Sequence, residues 1–201
     1  MKEFSRLLIT LTLVAAGAGM LLSMMESVTR EPIAKQRSLQ QLKAISAVLP
    51  QFDNNPDKDV VDLQSGTDKK GNPVHTTFFR ARRADQLVGV AFKVIAPDGY
   101  SGNIEVMVGL DTDERIVAIE ILAHAETPGL GSIITDQWFK DLFCDRGLDN
   151  TDWRVKKDGG DIDQITGATI SPRAIVGAVK RGLDFFHQHR QQIITAQGES
   201  S

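Results

Sequence analysis

The chain has 201 residues, 24% of them charged and 41% hydrophobic, a composition that suits one ordinary globular domain plus one apolar anchor. A formal net charge of −3 gives no concentrated Lys/Arg surface for nucleic acid, and seven Pro with seventeen Gly do not make a collagen-like or mucin-like stalk. Cys144 is the only cysteine, which excludes a disulfide framework, a cysteine-built zinc site and an iron–sulfur cluster, so any electron transfer would need an organic cofactor.

Leu7 to Met25 contains no charged residue and is mostly Leu, Val, Ala, Gly and Met. A helix of about 20 such residues crosses a hydrocarbon core of about 30 Å. Lys2 and Arg6 precede the run and Glu26 follows it, so the positive-inside bias predicts a cytoplasmic N-terminus. A cleaved signal peptide is the competing reading, because Ala16-Gly17-Ala18-Gly19 offers small residues to a peptidase. Apolar residues resume at Met20-Leu21-Leu22, beyond such a site, which favours an uncleaved anchor. Both readings put the remaining chain outside the cytoplasm.

Glu26 to Leu49 keeps helical spacing through Ile33, Leu39, Leu42, Ile45 and Leu49, and Pro50 closes it. Gln51 to Lys58 is a polar turn. From Val60 the pattern becomes strand-like. Thr76–Arg82 and Leu87–Ala96 are predicted strands with Asp85-Gln86 as their turn. Ile104–Leu110 and Ile116–Leu122 form a predicted antiparallel hairpin around Asp111–Glu114. Ser132–Phe143 has helical spacing. Ser171–Ile194 is a second predicted helix, with Ser171 as N-cap, Pro172 at its first position and Ile175, Val176, Val179, Leu183 and Phe186 as its apolar stripe. The expected class is α+β: an antiparallel sheet with packed helices, preceded by one transmembrane helix. The expected segments are a cytoplasmic N-terminus (1–6), a transmembrane helix (7–25), a helical linker (26–58), a folded domain (59–195) and a polar tail (196–201).

Two segments carry candidate chemistry. Glu126-Thr127-Pro128-Gly129-Leu130-Gly131 follows a predicted strand, and its Pro and Gly make a tight turn that can bring backbone groups to a ligand. Asp163-Gln164-Ile165-Thr166-Gly167-Ala168-Thr169 precedes the last helix. Gly167 and Ala168 leave room there, and Thr169 lies where free N–H groups and the helix dipole favour an anion. Taken alone, each segment is better read as ordinary turn chemistry. Of the other candidates, His187 and His189 are not one helical turn apart, which argues against a shared metal face. His124 is a ligand contact or a surface histidine. Trp138, Trp153 and Cys144 read as packed residues, and Asp111 and Asp113 as a solvated turn.

Together, Glu126–Gly131 and Asp163–Thr169 resemble the motifs of a flavoprotein family. The family comprises the G subunit of the Rnf (Rsx) ion-translocating electron-transport complex and the C subunit of the sodium-translocating NADH:quinone reductase. Gly99-Tyr100-Ser101-Gly102-Asn103-Ile104 looks like a third shared element. The short chain and lone membrane segment are more similar to the Rnf protein. This resemblance implies FMN joined through its phosphate to Thr169, installed by a Mg-dependent flavin transferase that reads Asp163. It also implies that Thr166, Gly167 and Ala168 give the cofactor room, and that Glu126, Thr127, Gly129, Leu130, Gly131, Tyr100 and Gly102 line its site. The domain would then be periplasmic, anchored in a bacterial inner membrane, partnered by the other subunits of the complex, and a redox subunit without substrate chemistry of its own. A membrane-anchored module for a noncovalent ligand and a purely structural assembly subunit are the rival functions.

Overall fold

An uninterrupted apolar run followed by helical periodicity gives one long helix, α1 (Lys2–Val48), with Pro32 inside it. The structure, a computed structural model, describes residues 2–67 and 71–196. The expected tail therefore lies outside the described residues beyond Ala196. The chain divides into two compact units, Met1–Gln41 and Leu42–Ser201.

In the first unit, the most apolar 18-residue window of α1 has a mean hydropathy of 2.1 and none of it is buried. A helix this apolar on all sides needs lipid or protein around it rather than water. Thr10 and Thr12 are compatible with that setting, because their hydroxyls donate back to the carbonyls of Arg6 (2.9 Å) and Leu8 (2.8 Å). α1 fits the single span of a membrane protein.

The second unit is built on five antiparallel strands in chain order: β1 (Val60–Thr67), β2 (Pro73–Arg83), β3 (Gln86–Ala96), β4 (Ile104–Leu110) and β5 (Ile116–Ala123). Phe78 pairs with Phe92 and Phe79 with Ala91, so successive residues of β2 face opposite sides of the sheet. Both sides are covered, which explains why the strands read as apolar runs rather than as clean alternation. One side packs on α3 (Ile170–Thr195), where Phe186 stacks on Phe92 with ring centres 6.2 Å apart. The stripe Ile175, Val176, Val179, Leu183 and Phe186 is buried there as its spacing predicts. The other side receives Ala44, Ile45, Val48 and Leu49, which pack on Phe79, Ala81, Ala91 and Met107. These residues lie inside the segment 26–58 but belong to the folded unit.

Several local expectations change. The β2–β3 turn is Ala84-Asp85 rather than Asp85-Gln86, with φ of 49° and 61° at its two residues, the left-handed pair that a two-residue hairpin needs. Ser132–Phe143 is not one helix. A 3-10 turn (Gly131–Thr135) is separated from the short α2 (Gln137–Asp141) by Asp136 in an extended conformation. The N-cap of α3 is Thr169, not Ser171. Ser171 is buried within the first turn, and Pro172 stands third rather than first. Trp153 is buried and donates its indole N–H to the Gly147 carbonyl at 3.1 Å, whereas Trp138 is exposed. Cys144 is exposed as well. Partial desolvation, and then repulsion from Asp141, hold its thiol above the ordinary value, which disfavours the reactive thiolate.

Candidate functional site

Three loops meet near the end of the sheet where β3 and β5 finish and β4 begins. The first leaves β5. Its Glu126 N–H donates to His124 Nδ1 at 3.2 Å, which assigns that histidine a local role. The Leu130 N–H donates to the Thr127 carbonyl at 3.2 Å across Pro128 and Gly129, and Gly129 has φ of 74°. Pro followed by a left-handed glycine is the signature of a type II turn. The Ser132 N–H also donates to Thr127, and the Gly129 N–H donates to Ser132 Oγ at 2.9 Å. Two of the backbone donors expected to face a ligand, those of Gly129 and Leu130, are therefore occupied within the loop.

The second loop is Gly99–Gly102, which closes over the side chain of Glu126. The Ser101 N–H donates to Glu126 Oε1 at 3.4 Å. A Cβ at Gly99 would come within 2.2 Å of the Gly102 carbonyl oxygen and 2.8 Å of Oε1, so only glycine permits this approach. Glu126 is left only 4% exposed, and its Oε2 has no hydrogen-bond partner among the described residues. A Cβ at Gly131 would stand 2.8 Å from that oxygen.

The third loop precedes α3. The Ala168 N–H donates to the Ile165 carbonyl at 3.0 Å across Thr166 and Gly167, and Gly167 has φ of 82°. This is a second type II turn, and the glycine is needed for its backbone sign. A Cβ there would meet nothing nearer than Leu130 Cδ1 at 3.4 Å, so packing alone would not require glycine. Thr169 then caps α3. Its carbonyl accepts from the Arg173 N–H at 3.1 Å, and its side chain makes no capping bond.

The loops bound a cleft of about 340 Å³ lined by Tyr100, by Glu126, Thr127, Leu130 and Gly131, and by Gly167 through Ser171. The three candidate segments are thus brought together. Thr166, Gly129 and Gly102 are exposed and stand outside the lining. Asp163 also stands outside it, in a 2.9 Å ion pair with Lys156. Beside it, Arg173 grips Asp158 through two bonds of 2.7 and 2.8 Å, which hold the Asp158 carboxyl below its ordinary range. Sequence reading missed Ile170, which is 45% exposed at the cleft, and Gly99, whose signal was its place in the Gly99–Ile104 segment.

A larger groove of about 430 Å³ lies between α3 and strands β1, β2 and β3 and includes none of the candidate residues. His187 and His189 serve structure. His187 pairs with Glu114 at 2.7 Å, and His189 Nδ1 lies 2.9 Å from the Phe185 carbonyl. Asp111 Oδ1 accepts from the backbone N–H groups of Asp113 and Arg115 inside its own turn.

Substitution at Gly131 tests the packing beneath the cleft. Gly131→Val should disturb Glu126 before anything else, because the new Cβ would also stand 2.9 Å from the Glu126 Cβ. The expected cost is about 1–3 kcal/mol, typical of overpacking. Thermal unfolding checks it, and an unchanged midpoint would refute the crowding.

Residues 99–184 match the family described as the FMN-binding domain. The chain is 39% identical over 195 residues to the G subunit of the ion-translocating oxidoreductase complex of Aliivibrio fischeri, covering 93% of this chain and 92% of that protein. The like-named protein of Yersinia pestis is 41% identical over 187 residues, covering 90% and 88% of the two chains. That of Escherichia coli is 39% identical over 180 residues, covering 86% of each. Among solved structures, NqrC of Shewanella oneidensis superposes with a TM-score of 0.57 over 79% of this chain and 98% of that one, at 18% identity. The C subunit of the Na(+)-translocating NADH-quinone reductase from Parabacteroides distasonis gives 0.55 over 82% and 94%, at 16% identity. These two likenesses concern the fold, whereas the sequence relationship extends through nearly the whole chain. The chain belongs to the family of G subunits of ion-translocating oxidoreductase complexes.

Proposed function

We propose that this chain is a membrane-anchored electron carrier of an ion-translocating oxidoreductase complex, with FMN joined through its phosphate to the Thr169 hydroxyl. The observation that carries the proposal is the convergence of Tyr100, the Glu126–Gly131 loop and Gly167–Thr169 on one cleft at the start of α3. The residues fit the group. Thr169 has a side chain not engaged in capping, and the first N–H groups of a 26-residue helix favour the negative charge of a phosphodiester. The cleft volume is in the range of small-molecule sites, roughly 300–1,000 Å³. An orphaned buried oxygen on Glu126 offers a polar contact, and the absence of a side chain at Gly131 is what lets Glu126 sit there.

When bound, FMN supplies the ring that carries electrons, which no side chain of this domain could do. Tyr100, Leu130 and Ile170 would flank it with apolar surface. Thr166, Gly167 and Ala168 would form the turn that presents Thr169. Asp163, outside the cleft and paired with Lys156, would be read by the flavin transferase. Denaturing electrophoresis under ultraviolet light tests the reading when that transferase is present. A fluorescent band supports covalent FMN, colour lost on denaturation supports a noncovalent ligand, and no chromophore leaves only an assembly role.

The basic flank of α1 supports a cytoplasmic N-terminus and a periplasmic domain at the bacterial inner membrane, where the other subunits of the complex would meet it. A reporter active only outside the cytoplasm, fused after Ser201, should work. Activity of a cytoplasm-only reporter at that position would overturn the orientation.

A further inference from the structure

The buried acid of the cleft has a use that the attachment chemistry does not require. Glu126 is 4% exposed, and its two carboxyl oxygens have different surroundings. Oε1 accepts from the Ser101 N–H at 3.4 Å, which ties the acid to the loop carrying Tyr100. Oε2 is buried and without a hydrogen-bond partner among the described residues. A side chain at position 131 would begin only 2.8 Å from it and 2.9 Å from the Glu126 Cβ, so glycine there is what lets Glu126 keep this position. Glu126 and Gly131 line the same cleft as Thr169.

A buried oxygen without a donor is costly, and the cost disappears when a ligand brings one. From these observations we propose that Glu126 Oε2 is the acceptor for a hydrogen-bond donor of the bound cofactor, a hydroxyl of its ribityl chain or the imide N–H of its ring. Glu126 then both orients the cofactor and ties its seating to the Gly99–Gly102 loop. This inference rests on the proposed FMN site. Its chemical logic is narrow: the phosphodiester at Thr169 carries no donor, so the partner of Oε2 must come from the chain or the ring.

Glu126→Gln is the informative variant, because it keeps the shape and reverses one polarity. With the amide oxygen retained by the Ser101 N–H, the amide NH₂ stands where Oε2 stood: it faces a ring N–H with a donor, and it leaves a ribityl hydroxyl, which can turn to accept, with a bond to a neutral amide in place of one to a carboxylate. A Glu126 that serves only to hold the Gly99–Gly102 loop would leave the gain on labelling unchanged, since Gln still accepts from the Ser101 N–H. The full chain in detergent is prepared with and without the flavin transferase, and unfolding midpoints are taken for wild type and variant.

Wild type must first show covalent flavin and a higher midpoint when labelled; absence of label there would count against the FMN reading rather than against Glu126. The unlabelled variant should match unlabelled wild type, while its gain on labelling should be smaller by about 2–4 °C, the shift one hydrogen bond gives in a domain of this size. Vibrational spectra of the labelled proteins distinguish the two donors. Displaced ring carbonyl and imide bands assign the bond to the ring N–H, and unchanged ring bands with a reduced gain assign it to a ribityl hydroxyl. An equal gain on labelling in both proteins overturns the inference. So does an unlabelled variant that fails to fold, because Glu126 would then be structural.

Discussion

Thr169→Val should abolish covalent flavin fluorescence while the protein remains folded and in the membrane. Valine keeps the β-branched shape and removes only the hydroxyl that would accept the phosphate. Elsewhere, loss of an N-cap hydroxyl often costs about 1 kcal/mol, because the hydroxyl bonds a free helical N–H. Thr169 has φ of −77° and ψ of −24° and makes no such bond, so its loss should change stability by less than about 0.5 kcal/mol. Labelling and folding are thereby separated. Thr166→Ser should keep the fluorescence, since Thr166 is exposed at the first corner of its turn and serine retains a hydroxyl. In-gel fluorescence together with thermal unfolding checks both variants. A labelled Thr169→Val protein would defeat the site assignment even with a flavin present.

Gly109→Val should produce the largest loss of stability in the folded unit. Gly109 lies on β4 against the end of α1, where a Cβ would stand 1.9 Å from the Val48 carbonyl oxygen and 2.6 Å from its carbon. Both atoms are backbone, so no rotamer change can relieve the clash. The end of α1 must lift, and Ile45, Val48 and Leu49 would lose their contact with Phe79 and Met107. The expected cost is roughly 3 kcal/mol or more, a fall of about 10 °C in unfolding midpoint. Gly66→Ala is the control, because a Cβ at Gly66 would meet nothing within 4 Å. It should shift stability by no more than about 0.5 kcal/mol. Equal midpoints for the two variants would mean that α1 does not pack on β4 as described.

The fold was legible where a period was long enough to be unambiguous. The stripe from Ile175 to Phe186 spans three helical turns and can be buried in only one way against a sheet. The hairpin around Asp111–Glu114 was legible too, although its alternation is interrupted. Ile116 pairs with Leu110 and Ala118 with Gly109, and this bulge puts Ile116 and Ile119 in the same core despite their odd spacing. Short elements were not legible. In Ser132–Phe143 the apolar spacing suits an α-helix as well as a 3-10 turn followed by one α-turn, and only the extended Asp136 separates them. At α3 two cap-forming residues stand two positions apart, and the burial of Ser171 leaves Thr169 as the boundary.

The candidate site was legible as motifs and not as geometry. Pro128-Gly129 and Thr166-Gly167 announce turns, and both are type II turns with a left-handed glycine. The burial of Glu126 could not be read in advance. A glutamate at the head of a loop looks solvated until the Gly99–Gly102 loop, more than twenty residues earlier, folds over it. The exposure of Trp138 and Cys144 was hidden for a similar reason. Their apolar character suggested burial, but the Asp136 break sets the direction of α2 and turns Phe139 and Phe143 inward instead.

Peptide mass spectrometry of the full-length protein made with the flavin transferase tests the central claim most directly. The account predicts one modified peptide spanning Thr166 to Thr169, heavier by one FMN less one water, with fragment ions that assign the addition to Thr169. The same mass on Thr166, or an unmodified Thr169 while the transferase labels another protein in the same cells, would contradict it.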